Sequence, residues 1–323
     1  MPFLRAWPLL FVAALGACDG EDASVLTPDA DTGAGPTFAG PAPALAASPG
    51  FGAPPRLAFR VLAGRGNGAV VDPDAMLAAL RNAEAVCLGE THESFAVQSM
   101  QLLVADRLRA AAPDADLALG FEMFQRPFQD ALDDFSSGRI DQGTLRTRSE
   151  YDTRWGWSWE NYAPLVQHGR DHGHPLRALS AARELTARVS QVGVSGLSAE
   201  EQAQMPELDL GDQAHRAWFR NIIQAVHPEL TEAGFERFYT TQVIWDESMA
   251  EGSASWQKAA PGRRVLIFAG RYHCVDMAIP NRLKRRGLSR VMGLQIVEDD
   301  PAEVAQALAL DPADFIVPVT LTP

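Results

Sequence analysis

The chain is poor in cysteine, tyrosine and basic residues, and beyond its first residues it has no long hydrophobic run. Three cysteines in 323 residues exclude a disulfide-built scaffold, so the core must come from apolar burial, for which this length is ample. Lys and Arg number 28 against 41 Asp and Glu, a formal net charge of −13. Such a surface repels a phosphate backbone, and no basic run interleaved with aromatics offsets it, which excludes nucleic acid as a partner. The densest basic cluster, Arg282 to Arg286, reads as the end of a helix, where cations suit the dipole. No internal repeat or heptad is present.

What is there begins with a leader. Arg5 is followed by an apolar stretch through Leu9, Leu10, Phe11, Val12 and Leu15, too short for a permanent membrane span. Residues 1–17 therefore read as a signal peptide. Its end, Leu15-Gly16-Ala17-Cys18, resembles a lipobox, which makes Cys18 the lipidation site and predicts an exported protein anchored to a bacterial membrane, periplasmic or at the cell surface. Acyl chains there would anchor it stably, at about 0.8 kcal/mol per buried methylene. Residues 18–55, rich in Pro, Ala and Gly, read as a disordered tether, and residues 56–323 as one domain. The remaining cysteines, Cys87 and Cys274, are expected to be buried free thiols, a disulfide being the less favoured alternative.

Apolar β-type runs alternate with helical patterns, which predicts an α/β fold with a mostly parallel sheet flanked by helices. Strands are expected at Leu57–Leu62, Ala85–Leu88, Leu117–Phe121, Pro175–Leu179, Val265–Ala269, Val291–Ile296 and Phe315–Val319. Helices are expected at Phe95–Ala111, Pro127–Ser136, Trp159–His172, Ala182–Gln191, Gln213–Val226, Glu232–Lys258 and Ile279–Arg286, with Ser158 and Thr231 as N-caps. The stretch 182–258 has no strand pattern and reads as a helical insertion or lid.

Three predicted strands end in the same vocabulary: Gly89-Glu90-Thr91-His92, Glu122, and Gly270-Arg271-Tyr272-His273. Ligands in open α/β sheets bind outside the carboxyl ends of strands, and the loop glycines are expected to turn the backbone there. Two imidazoles and two carboxylates at one edge suit a divalent metal such as zinc, manganese or cobalt, and equally general acid/base work. His168, His172 and His174 read instead as imidazolium complementing a helix end. Trp155, Trp157 and Trp159 read as a loop wall packed on the core.

In order and spacing, Leu88 to His92, Gly120-Phe121-Glu122-Met123-Phe124, Gln129 with Leu132-Asp133, Trp155 to Trp159 with Tyr162 to Leu165, Trp245 to Ala250, and Ala269-Gly270 with His273 resemble the ChaN family of haem-binding lipoproteins. That family is part of the Tiki superfamily, with Tiki-type metalloproteases and erythromycin esterase-like enzymes. The resemblance spans about Ala85 to Glu298. It implies a haem-binding lipoprotein of haem and iron uptake, with Glu90, His92, Glu122 and His273 on the superfamily's active centre and Asp246 on the pattern Asp-x-x-Met-Ala.

Haem needs an apolar slot, an axial ligand and a cation near its propionates. The expected haem-binding residues are Tyr272 and His273, with Arg271 or Arg126 near the carboxylates. The alternative is a metal-dependent hydrolase, with His92, Glu122 and His273 holding the metal, Glu90 activating water, and Gly89, Asp246 and Gly270 completing the pocket. A third reading is an interaction protein with a relict site. Whether the chain forms a homodimer is left open.

Overall fold

A computed structural model describes residues 56–322 apart from 67, 114 and 311. The expected signal peptide, the Cys18 lipidation site and the tether lie outside the described residues. Among the described residues no helix is long and apolar enough to cross a membrane.

The strands are β1 (Arg56–Phe59), β2 (Val61–Ala63), β3 (Val70–Val71), β4 (Ala85–Glu90), β5 (Leu117–Gln125), β6 (Leu176–Ser180), β7 (Arg264–Gly270), β8 (Val291–Glu298) and β9 (Phe315–Thr322). They form one nine-stranded sheet in the order β3-β2-β9-β8-β4-β7-β5-β6, with β1 also on β9. The pairs from β9 through to β6 are parallel, while β1, β2 and β3 pair antiparallel at the other edge. The helices are α1 (Pro73–Arg81), α2 (Phe95–Ala111), α3 (Gln129–Ser136), α4 (Gln142–Arg148), α5 (Tyr151–Arg154), α6 (Trp159–Asp171), α7 (Arg183–Val192), α8 (Ala199–Gln202), α9 (Gln213–Val226), α10 (Glu232–Lys258), α11 (Ile279–Arg285) and α12 (Pro301–Leu310).

Alternation along β4 divides the core. Val86 and Leu88 face a layer with Val97, Met100, Leu165 and Phe268, whereas Ala85 and Cys87 face Met249, Ala250, Ile279 and Leu283. Successive strand side chains point to opposite faces, and both faces are covered, so near-continuous apolar strands fit the sheet's centre. As expected, no strand interrupts 183–258. The long α10 of this insertion packs on β5, β6 and β7.

Several expectations require correction. The first expected strand is two, separated at Arg60, whose amide donates to Pro318 O and whose guanidinium reaches Asp299. Ser158 does occupy the N-cap position of α6, but its hydroxyl donates to Glu160 instead of accepting a backbone amide. Thr231 caps α10 by accepting from the Gly234 amide. Cys87 and Cys274 are joined in a disulfide rather than free. Their Cα atoms lie 5.2 Å apart because the turn after β7 returns beneath β4, a proximity that a sequence separation of 187 residues conceals. Arg282 to Arg286 does close α11, with Arg282, Lys284 and Arg285 in its last turn, but it is more than a helix end. Arg282 is 1% exposed and, with Arg285 and Arg286, surrounds the fully buried Glu247 of α10.

Candidate ligand-binding site

The carboxyl ends of β4, β5 and β7 lie side by side. Glu90 is in register with Gly270, and Glu122 follows Phe121, which pairs with Phe268. Just beyond, the pairing of β5 with β6 shifts between Phe121 and Gln125, an irregularity of the kind that re-aims side chains at a sheet edge. The strands run further than expected, so Gly89 and Gly270 lie within them rather than in turning loops, and neither has a positive φ. Their role is close approach. A Cβ on Gly89 would collide with the Gln295 side chain, and one on Gly270 would stand 3.1 Å from His92 Nε2 and 3.6 Å from Glu122 Oε2.

Two relays share this edge. In the first, the Tyr162 hydroxyl donates to Glu90 Oε1 at 2.7 Å, and the same oxygen lies 2.8 Å from His92 Nδ1. With Nδ1 turned to a carboxylate, His92 presents Nε2 toward Gly270. Its ring is 4.9 Å from Trp155 and 5.5 Å from Trp157. Glu90 Oε2 is buried without a hydrogen-bond partner. In the second, His273 Nδ1 lies 2.6 Å from Asp246 Oδ1 and 3.1 Å from Gln242 Nε2, while its Nε2 lies 3.3 Å from Glu122 Oε1. Glu122 Oε2 accepts from the Gly270 amide at 2.6 Å.

Charges here are strongly coupled. Burial pushes the His273 imidazole down, but the Glu122 and Asp246 carboxylates prevail and raise it to about 10. Burial pushes Glu122 up, yet His273, His92 and the Gly270 amide bring it to about 2. His92 is raised as well: burial lowers it, and the Glu90 bond and charge, with Glu122 behind, more than offset that. Burial and the Glu90 charge lift the Tyr162 phenol well above its usual range, so it remains a neutral donor.

The family model described as haem-binding uptake, Tiki superfamily, ChaN matches residues 76–283. The chain belongs to this family. A solved structure, ChaN of Campylobacter jejuni with cofacial haem binding, is 17% identical and superposes with a TM-score of 0.64 over 81% of this chain and 97% of that one. An erythromycin esterase is 12% identical with a TM-score of 0.41, covering 82% of this chain and 83% of that one. A curated relative, Protein RETICULATA-RELATED 5, chloroplastic, of Arabidopsis thaliana, is 29% identical over 127 residues. The match takes in 38% of this chain and spans 17% of that protein's length.

In this ChaN-family chain the expected quartet of Glu90, His92, Glu122 and His273 does converge, and Asp246, Gly89 and Gly270 sit against it. Arg271 is buried and donates to the Tyr272 hydroxyl at 3.2 Å. Tyr272 stands edge-on to Trp218, 5.9 Å away. Arg126 pairs with Glu251. Among the described residues, the group whose donor atoms all lie within 4.8 Å of one another is Asp106, His168 and His172. Of the expected metal trio, Glu122 Oε1 and His273 Nε2 lie 3.3 Å apart, and His92 completes no group of that spacing with them. The helix-end reading of the histidines also fails for His168, which burial and the neighbouring His172 and His174 depress to about 4, leaving it neutral. Trp155 and Trp157 wall the site beside His92, whereas Trp159 packs on Tyr151 and Phe124 in the core.

Sequence reading missed Gln242 and Gln295 as parts of the site. Gln242 lies four residues before Asp246 on α10 and so shares its face, a signal legible once the helix is drawn. Gln295, whose amide donates to Arg271 O, has no local signature.

Proposed function

We propose that this chain is a lipid-anchored haem-binding protein of haem and iron uptake, with Tyr272 as the axial ligand beside the Glu/His edge. The observation that carries the choice is the burial of the tyrosines. Of the chain's four, Tyr151, Tyr162 and Tyr239 are 0% exposed, while Tyr272 keeps part of its surface open. His273 is engaged at both nitrogens, which removes it from axial ligation and makes it a positioning group for the turn that carries Tyr272. Arg271 donates to the Tyr272 oxygen, so negative charge on an oxygen ligand is compensated there. Trp218 beside Tyr272 supplies aromatic surface for a flat ligand. When bound, haem would supply the iron chemistry, and the chain's residues hold, orient and shield it.

The residue set therefore fits haem with Tyr272 and Arg271 as its contacts. Arg126, paired with Glu251, is the weaker partner for a propionate. Export and anchoring at Cys18 complete the proposal and follow from the lipobox-like leader. The Campylobacter jejuni relative binds haem cofacially, so a homodimer formed around haem is part of the same reading.

The test is titration of the purified domain with haemin. A sharpened Soret band should appear at saturating haemin and should shift and weaken in Tyr272→Phe. Absence of a saturable band would sink haem binding, whereas a band unchanged in Tyr272→Phe but lost in His92→Ala would move the ligand to the other relay. Sedimentation with and without haemin reads the dimer, and Cys18→Ser should release the full-length protein from membranes.

A further inference from the structure

A second cluster of histidines lies at the opposite end of the sheet from this edge. His168 sits in the last turn of α6 and His172 is that helix's C-cap residue, while His174 lies two residues before β6. Asp106 faces them from α2. The rings of His168 and His172 are 4.5 Å apart, and those of His168 and His174 are 5.9 Å apart. Leu117, the first residue of β5, closes the group through its carbonyl, which accepts from His174 Nδ1 at 3.0 Å.

We propose that Asp106, His168 and His172 form a second ligand site, at the amino ends of β5 and β6, that binds a borderline divalent ion of the zinc class. One donor atom from each lies within 4.8 Å of the others. Zinc bonds to nitrogen of about 2.0–2.1 Å set tetrahedral ligands about 3.4 Å apart, so modest side-chain rotation closes the site. Two imidazoles and a carboxylate are the donor set that such an ion takes.

An independent observation points the same way. His168 and His174 are each 8% exposed, and the Nε2 atom of each is buried with no hydrogen-bond partner. Buried polar atoms are rarely left so. His174, whose Nδ1 donates to the Leu117 carbonyl, lies beside the three proposed ligands rather than among them. His172 is exposed, and both it and His174 border a cleft of about 260 Å³, so an ion has a route in. Arg109 donates to Asp106 Oδ1 at 3.0 Å, which leaves the second carboxylate oxygen for the ion.

The experiment is calorimetric titration of the purified protein with Zn²⁺ alone, repeated with Co²⁺, whose visible absorption reports tetrahedral nitrogen and oxygen ligation. One equivalent should bind. Affinity should fall by about tenfold or more in His172→Ala and in Asp106→Asn, with the Co²⁺ absorption lost in parallel. His172 is a surface residue, so its variant should keep the wild-type circular dichroism and the haemin response, which separates this site from the proposed haem site. His92→Ala should leave Zn²⁺ binding intact. Absence of saturable binding, affinity unchanged in His172→Ala, or loss in His92→Ala alone would each overturn the proposal.

Discussion

At the residue scale, the site is organised by what carboxylates do to two imidazoles. His92 has one carboxylate behind it and an Nε2 that faces Gly270. His273 has a carboxylate on each nitrogen. Gly270 lies against the His92 ring, and its conformation, with φ −55°, suits any residue, so only space is at stake there. Gly270→Ala is expected to fold normally but to push the His92 ring aside, because the new Cβ would lie 3.1 Å from Nε2. If His92 borders the haem slot, haemin affinity should drop by about tenfold, or ~1.4 kcal/mol, and unchanged affinity would remove His92 from the slot. The Glu122–His273 pair makes a second prediction through its pH dependence. Glu122 is lowered from 4.5 to about 2, so its contribution to stability is present above pH 4.5 and is lost as pH falls through 2. His273 is raised from 6.5 to about 10, so its contribution is complete below pH 6.5 and is lost as pH rises through 10. The difference in melting temperature between wild type and Glu122→Gln should therefore be greatest between pH 4.5 and 6.5 and should shrink toward pH 10. A difference that stays flat across that range would show that the pair does not couple as drawn.

At the scale of elements, α10 and α11 are locked by charge as well as by apolar contact. Glu247 is fully buried, and Arg282 reaches it at 3.3 Å while also standing 3.6 Å from Asp246 Oδ2. The same side chain thus anchors the helix pair and stands behind the carboxylate that holds His273. Arg282→Ala should destabilise the protein by about 3–5 kcal/mol, because it leaves buried carboxylates uncompensated, and urea unfolding would measure this. A loss under about 1 kcal/mol would mean that Arg285 and Arg286 carry the compensation alone. This lock shows why part of the structure was legible in sequence and part was not. Strand and helix periods are local, so β4, β5, β7 and the insertion with its long α10 could be read from their own residues. The three-strand edge followed from them, because strand ends in such sheets collect ligands. Arg282 to Arg286 was legible as a helix end, but nothing in the run itself reveals that Glu247, on another helix, is buried beside it. The short β3 and the split at Arg60 have too few residues to carry a period. The spacing of donor atoms at the edge was hidden for a related reason, because it depends on which hydrogen bonds each imidazole has already made.

At the scale of the molecule, the two proposed sites lie at opposite ends of the sheet, and the Cys87–Cys274 disulfide belongs to the end proposed for haem. Cys87 lies on the central β4, and Cys274 directly follows the turn that carries Tyr272 and His273, so the bond ties that turn to the middle of the sheet. Both cysteines are 0% exposed, and they lie 187 residues apart in sequence, so the cross-link removes much of the freedom of the unfolded chain. Replacing both cysteines by alanine should lower the unfolding free energy by about 2–5 kcal/mol, read by urea denaturation. It should also weaken haemin binding, because the Tyr272 turn would lose its tether. A structural disulfide persists in oxidising compartments and is rare in reducing ones, so the bond fits the export that the leader predicts. The decisive measurement is thiol titration of the protein isolated from its native compartment and denatured without reductant. Blocked thiols that become titratable on reduction are expected. Reactive Cys87 and Cys274 before reduction would count against the cross-link and against an oxidising location together, whereas a blocked pair whose replacement leaves haemin affinity unchanged would retain the staple and detach it from the ligand.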